Sequence, residues 1–130
     1  MLFRSYGGSD GKHTSWRNGF FCLASLRPDG FAGYTQAKSD KPATVTTGDI
    51  LHHQGDLRIS GDIGRRGYVR VKVLDAHGTL LAESRRLTRS VTDQTLSWQN
   101  GFSFERLAQK PARLLIEFQN ATVYSFSFQH

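Results

Sequence analysis

The residues "YVRVKVLD" (68–75) set Val69, Val71 and Val73 against Tyr68, Arg70 and Lys72. An apolar residue at every second position fits a strand with one dry and one wet face, and it fits no helix. The pattern recurs along the chain. "DLRIS" places Leu57 and Ile59 opposite Arg58 and Ser60, and "ARLLIEFQ" places Leu114, Ile116 and Phe118 opposite Arg113, Leu115 and Glu117. "TVYSFSFQ" sets Tyr124, Phe126 and Phe128 against Val123, Ser125 and Ser127. Leu57, Ile59, Val69, Val71, Val73, Leu96, Leu114, Ile116 and Phe118 are the expected core.

Turn-forming residues punctuate these runs. "RPDG" (27–30), "GRRG" (64–67), "DAHG" (75–78), "QNG" (99–101) and "QNA" (119–121) each read as a chain reversal. Turns recurring every ~8–12 residues predict an all-β chain of roughly eight to ten antiparallel strands in two packed sheets. Only "FERLAQK" (104–110) offers a helical turn, and Pro111 closes it at once. A chain of 130 residues buries enough surface to hold a core without disulfides, and the single cysteine, Cys22, reads as a buried thiol in an apolar run.

The stretch "YGGSDGKHTS" (6–15) imitates a phosphate-binding loop but lacks its spacing. Three residues, not four, separate Gly7 from Gly11, and His13 stands where the hydroxyl should follow the lysine. The following apolar run, "FFCLASL", is strand-like, so no helix aims its positive end at an anion. A nucleotide site is excluded. The formal net charge of +6 permits a nucleic-acid partner, yet the basic residues are scattered and no recognition motif contains them, so nucleic acid is not expected. No apolar run approaches the ~20 residues of a membrane-spanning helix, so no membrane partner is expected. Residues 1–20 lack the continuous apolar segment of a signal peptide, which leaves the compartment open.

Catalytic groupings are not evident. A glycosidase needs two facing carboxylates, one of them kept protonated. Glu117 is the acid placed most clearly within a strand, and Arg113 on the same face would lower its pKa. No Cys/His grouping has zinc spacing, and His52 and His53 point to opposite faces of any strand, so no metal ligand set is read. Asp49, Asp56 and Asp62 are weak candidates for calcium, in no recognisable loop order. Sugar binding asks for an aromatic platform and planar polar groups. One polar sheet face gathers Arg58, Arg70, Arg113 and Glu117, with Tyr68 at its margin, and Trp16 and Tyr34 lie in polar, Gly-rich surroundings. The competing reading of that face is a wet surface laced with salt bridges.

Taken together, "GFFCLASLRPDGFAGY", "LRISGDIGRRGYVRVKVLDAHGTLLA", "SVTDQTLSWQNG" and above all "LRPDGF" and "KPARLLIEFQNATVYSFSF" resemble the C-terminal end of bacterial glycoside hydrolases with a five-bladed β-propeller, of the fructan- and arabinan-cleaving type. Gln109 stands where that family favours glycine, and "SRRLTRS" replaces an acidic, cysteine-containing stretch. The resemblance implies a β-sandwich of jelly-roll, concanavalin A-like type over residues 19–130. It also implies a residual connector and propeller-edge strand over residues 1–18. The family's catalytic carboxylates belong to the propeller, so the resemblance implies a chain that is not an enzyme and has no cofactor. Three readings follow: a carbohydrate-binding or accessory module, a structural sandwich that associates with itself, and an independent hydrolase. Residues 1–15, deprived of propeller strands, are expected to be disordered or to pair with a second copy in a two-fold dimer.

Overall fold

The computed structural model describes residues 2–10, 16, 18–108 and 110–129; the side chains of residues 2–6 and of Cys22 lie outside that description. The chain is all-β, with two antiparallel sheets. Its strands are β1 (Leu2–Ser9), β2 (Gly19–Leu26), β3 (Tyr34–Thr35), β4 (Ala43–Thr46), β5 (Asp56–Asp75), β6 (Leu80–Glu83), β7 (Val91–Thr95) and β8 (Ala112–Gln129). Two short 3-10 turns, Gln99–Gly101 and Phe104–Leu107, precede β8, the second inside the segment expected to be helical. The chain divides into two compact units, Met1–Phe31 and Ala32–His130.

The first unit is a hairpin. β1 pairs with β2 from Leu2 opposite Leu26 to Ser9 opposite Gly19. Asp10 clamps its loop end, accepting from the Asn18 backbone N–H at 2.8 Å and from Asn18 Nδ2 at 2.9 Å. Those two bonds hold the exposed Asp10 carboxyl below the usual carboxylate range. Half of the stretch that imitated a phosphate site, 11–15, lies outside the described residues. Against the expectation of disorder, Leu2–Ser9 forms a strand, matched along its length by β2 of its own chain. The first unit also runs to Phe31 rather than to residue 18, because Gly19–Leu26, expected in the second domain, supplies β1 with its hydrogen bonds.

The second unit is built on β5 and β8, which run antiparallel from Asp56 opposite Gln129 to Asp75 opposite Ala112. β3 and β4 flank β8, and β6 and β7 flank β5. All nine expected core residues are buried, in one cluster with Ala82, Phe104, Ala112 and Val123. Residues from both ends of β5, Leu57 and Val73 among them, enter that cluster, so the alternation read from the sequence drives one core. Phe104 is a hub of edge-to-face rings, with Trp98, Phe102 and Phe128 at 5.4, 5.2 and 5.0 Å. Past the end of β7, the Arg85 N–H donates to Ser97 O at 2.8 Å and Ser84 bridges to Trp98, tying the edge that follows β6 to the segment after β7.

Two predicted reversals are not reversals. "GRRG" lies inside β5 and "QNA" inside β8. Ile63 pairs with Ala121 and Tyr68 with Gln119, so Gly64–Gly67 faces the single residue Asn120 in a coupled bulge. Arg66 and Asn120 take positive φ of 60° and 44° there. A Cβ on Gly67 would stand 2.4 Å from the Asn120 carbonyl oxygen, so only glycine lets the strands approach. Residues that suit a turn suit a bulge equally, and local sequence does not separate the two. The parity of β8 changes with it, so that Val123 is buried, and a second register shift, between Ser60 and Gly61, changes it back before Phe126, which is 38% exposed.

Candidate functional site

On β5 and β8, register places Arg70 directly opposite Glu117. Arg70 donates from Nη2 to Glu117 Oε1 and from Nη1 to Glu83 Oε1, both at 2.7 Å. Tyr68 OH donates to the same Glu117 oxygen at 2.7 Å, and Lys72 Nζ lies 3.9 Å from Oε2. The Arg86 guanidinium sits 4.3 Å above the Tyr68 ring. Burial acts to raise the Glu117 carboxyl, but the hydrogen bonds from Tyr68 and Arg70 and the charges of Arg70 and Lys72 outweigh it and hold it below the ordinary glutamate range. Burial and the Glu117 carboxylate push the Tyr68 phenol up. The cluster is an ionic knot whose strongest acceptors and donors already serve one another.

Of the predicted sugar-contacting residues, the structure therefore joins Tyr68, Arg70 and Glu117 and leaves the others apart. Arg113 donates to Asp49 Oδ1 at 2.5 Å. Arg58 lies beyond the bulge, donating to the Asp93 carbonyl at 3.0 Å and to Gln129 Oε1 at 2.8 Å. Each guanidinium thus has its own local partner: Glu83 and Glu117 for Arg70, Asp49 for Arg113 and Asp93 for Arg58. Trp16 is 93% exposed. Asp49 and Asp62, two of the calcium candidates, are engaged by Arg113 and by Tyr124 OH.

Tyr34 has different neighbours. It rims a groove of about 260 Å³ with Tyr124 and Phe126, over a floor that includes Val45, Phe118 and Val123. Tyr34 is 65% exposed. Tyr124 OH donates to Asp62 Oδ2 at 2.8 Å, which fixes that ring at the groove wall. Nearby, the coupled bulge opens a broader, polar groove of about 890 Å³ lined by Gln36, Asp62, Arg65, Arg66, Asn120 and Thr122 among others. Sequence reasoning did not single out Tyr124 and Phe126, because the groove they rim depends on the pairing of β3 and β4 with β8, which has no local signal. "GRRG" and "QNA" were the available pointers to the polar groove, disguised as turns.

His53 takes a structural place. His53 is buried against Phe104 and Phe128, with its Nε2 at 2.7 Å from the Lys110 carbonyl. A carbonyl only accepts, so Nε2 carries the proton. His52, its sequence neighbour, is exposed. No family model matches this chain, and neither the curated proteins nor the solved structures give a match.

Proposed function

We propose that the chain is a non-catalytic carbohydrate-binding or accessory module, with the two-sheet sandwich of jelly-roll, concanavalin A-like type that its resemblance to glycoside-hydrolase C-terminal domains implies. The observation that carries the proposal is the aromatic groove. Tyr34, Tyr124 and Phe126 offer ring surface to the C–H face of a sugar, and its volume of about 260 Å³ suits a single ring. Asp62 and Ser125 stand close to these rings as hydrogen-bonding groups. The sandwich is supported by one core fed from both ends of β5 and β8, with the backbone bonds from Ser84 and Arg85 joining the flanking strands.

The non-catalytic reading is supported by the state of the acids. Glu83, Glu117, Asp49 and Asp93 each face an arginine, and for Glu117 the pairing favours the carboxylate and unsuits it as a proton donor. Affinity electrophoresis against a panel of fructans, arabinans and other glycans tests the binding reading. Retention on at least one glycan is expected, abolished by Tyr34→Ala with Phe126→Ala and kept by Arg70→Ala. Retention that depends on Arg70 instead, or no retention on any glycan, would sink it.

A second reading, self-association, is favoured by β2, where Phe21 is 99%, Leu23 71% and Phe20 52% exposed. Exposed apolar side chains of this size on a two-stranded sheet invite a partner. Light scattering at micromolar concentrations is expected to give a dimer that Phe21→Ser with Leu23→Ser converts to a monomer. A parent chain that is already monomeric excludes this reading.

A further inference from the structure

The polar groove at the coupled bulge has a chemistry the aromatic groove lacks. Arg65 and Arg66 line it, both exposed, and among the described residues neither guanidinium has an ion-pair partner. Arg58, Arg70 and Arg113, by contrast, each pair with an acid. The backbone that carries these two arginines is held at Arg65 by a relay of three bonds. Asn120 Nδ2 donates to the Arg65 carbonyl at 2.7 Å, the Asn120 N–H donates to Gln36 Oε1, and Gln36 Nε2 donates to the Lys38 carbonyl at 2.8 Å. Arg66 itself sits at φ 60°, a conformation that persists only where its surroundings impose it. The groove wall is thus preorganised, with Thr122 and Asn120 among the residues that line it alongside the two cations.

We propose that this groove is a second binding site, for an acidic saccharide: a sugar carrying a carboxylate or sulfate. The guanidinium forks of Arg65 and Arg66 take the anionic group, because a planar fork matches two anion oxygens at once. The neighbouring hydroxyl and amide groups take ring hydroxyls. Asp62, already bonded to Tyr124, disfavours a second anionic group at that end and so orients the ligand. No aromatic ring is among the residues lining this groove, which removes the stacking platform that single-stranded nucleic acid needs. The choice of a saccharide rests on the carbohydrate reading above; the need for an anionic group rests on the groove alone.

The test is calorimetric titration of the full chain at low and moderate salt with an oligogalacturonate and with the neutral galacto-oligosaccharide of equal length. The uronate is expected to bind and the neutral sugar to bind at least about ten-fold more weakly at this groove, with about ten-fold lost for each guanidinium removed in Arg65→Gln and Arg66→Gln. Both side chains are exposed, and an unchanged melting temperature confirms that the variants are folded. Equal affinity for charged and neutral sugars, or uronate binding untouched by the double variant, overturns the proposal. So does a single-stranded oligonucleotide that binds as tightly and with the same arginine dependence. Neutral-glycan binding that needs Tyr34 while the uronate fails sinks this inference and spares the aromatic groove. Uronate binding that survives Tyr34→Ala, with no neutral glycan bound, does the reverse.

Discussion

Ser60 and Ser84 are both buried, and each uses its hydroxyl to accept from a backbone amide that the ladder would otherwise leave bare. Ser60 Oγ accepts from the Asp93 N–H at 2.9 Å beside the register shift between β5 and β7, and Ser84 Oγ accepts from the Val71 N–H at 2.9 Å. Ser84→Ala should cost about 2 kcal/mol in urea unfolding, since it strands a buried donor and gains no packing. A loss of a few tenths would mean that another acceptor reaches Val71. The ionic knot gives a pH-dependent counterpart. The Glu117 pKa is lowered by folding, so its contribution is fully present above the ordinary glutamate value of about 4.3 and is lost as pH falls through the lower folded value. Wild type should therefore exceed Glu117→Gln in stability by a constant margin above about pH 5, and the margin should shrink below about pH 4. A margin that grows on acidification contradicts the assignment. Arg70→Ala should cost about 2 kcal/mol at neutral pH, because Glu83 and Glu117 both lose a partner. Arg70 and Glu117 were legible from alternation and charge alone. The separate partners of Arg58 and Arg113 were not, because Asp93 and Asp49 are distant in sequence and only the pairing brings them close.

The long strands β5 and β8 owe their length to a bulge that lets both chains bend without breaking the pairing. Gly67→Ala tests this directly. Its new Cβ would meet backbone oxygens, Asn120 O at 2.4 Å and Gln119 O at 2.8 Å, and backbone cannot yield as a flexible side chain can. A loss of about 3 kcal/mol is expected, with the transition still cooperative, whereas a cost below about 1 kcal/mol would mean that the bulge is soft. The strand content, the nine core residues and the 3-10 turn before Pro111 follow from two-residue periodicity and proline, which are local properties. The bulge and the parity of β8 beyond it do not, since glycine, asparagine and arginine at positive φ serve hairpin ends and bulges alike. Phe126, which alternation sets on one face with Tyr124 and Phe128, stands at the rim of a groove in the structure.

The two compact units differ in how much holds each together. The first is a single pair of strands, and an isolated two-stranded sheet is marginal in water; the second has six strands and a cluster of buried side chains. Amide hydrogen exchange should find the β5 and β8 amides opening only with global unfolding, and those of β1 and β2 exchanging on the order of a hundredfold faster. Equal protection in both would show that the hairpin is held by more than its own ladder. The groove residues come from β3, the bulge and the far end of β8, so their meeting is a property of the whole pairing pattern and not of any one segment. The account's central claim is that a glycan binds at these grooves and not on the ionic knot. Backbone amide chemical-shift mapping during glycan titration tests it most directly. Shifts are expected at Tyr34–Gln36, Asp62–Arg66 and Asn120–Phe126, with Tyr68–Lys72 and Glu83 quiet. Shifts centred on Tyr68, Arg70 and Glu83, or none with any neutral or acidic glycan, would contradict it.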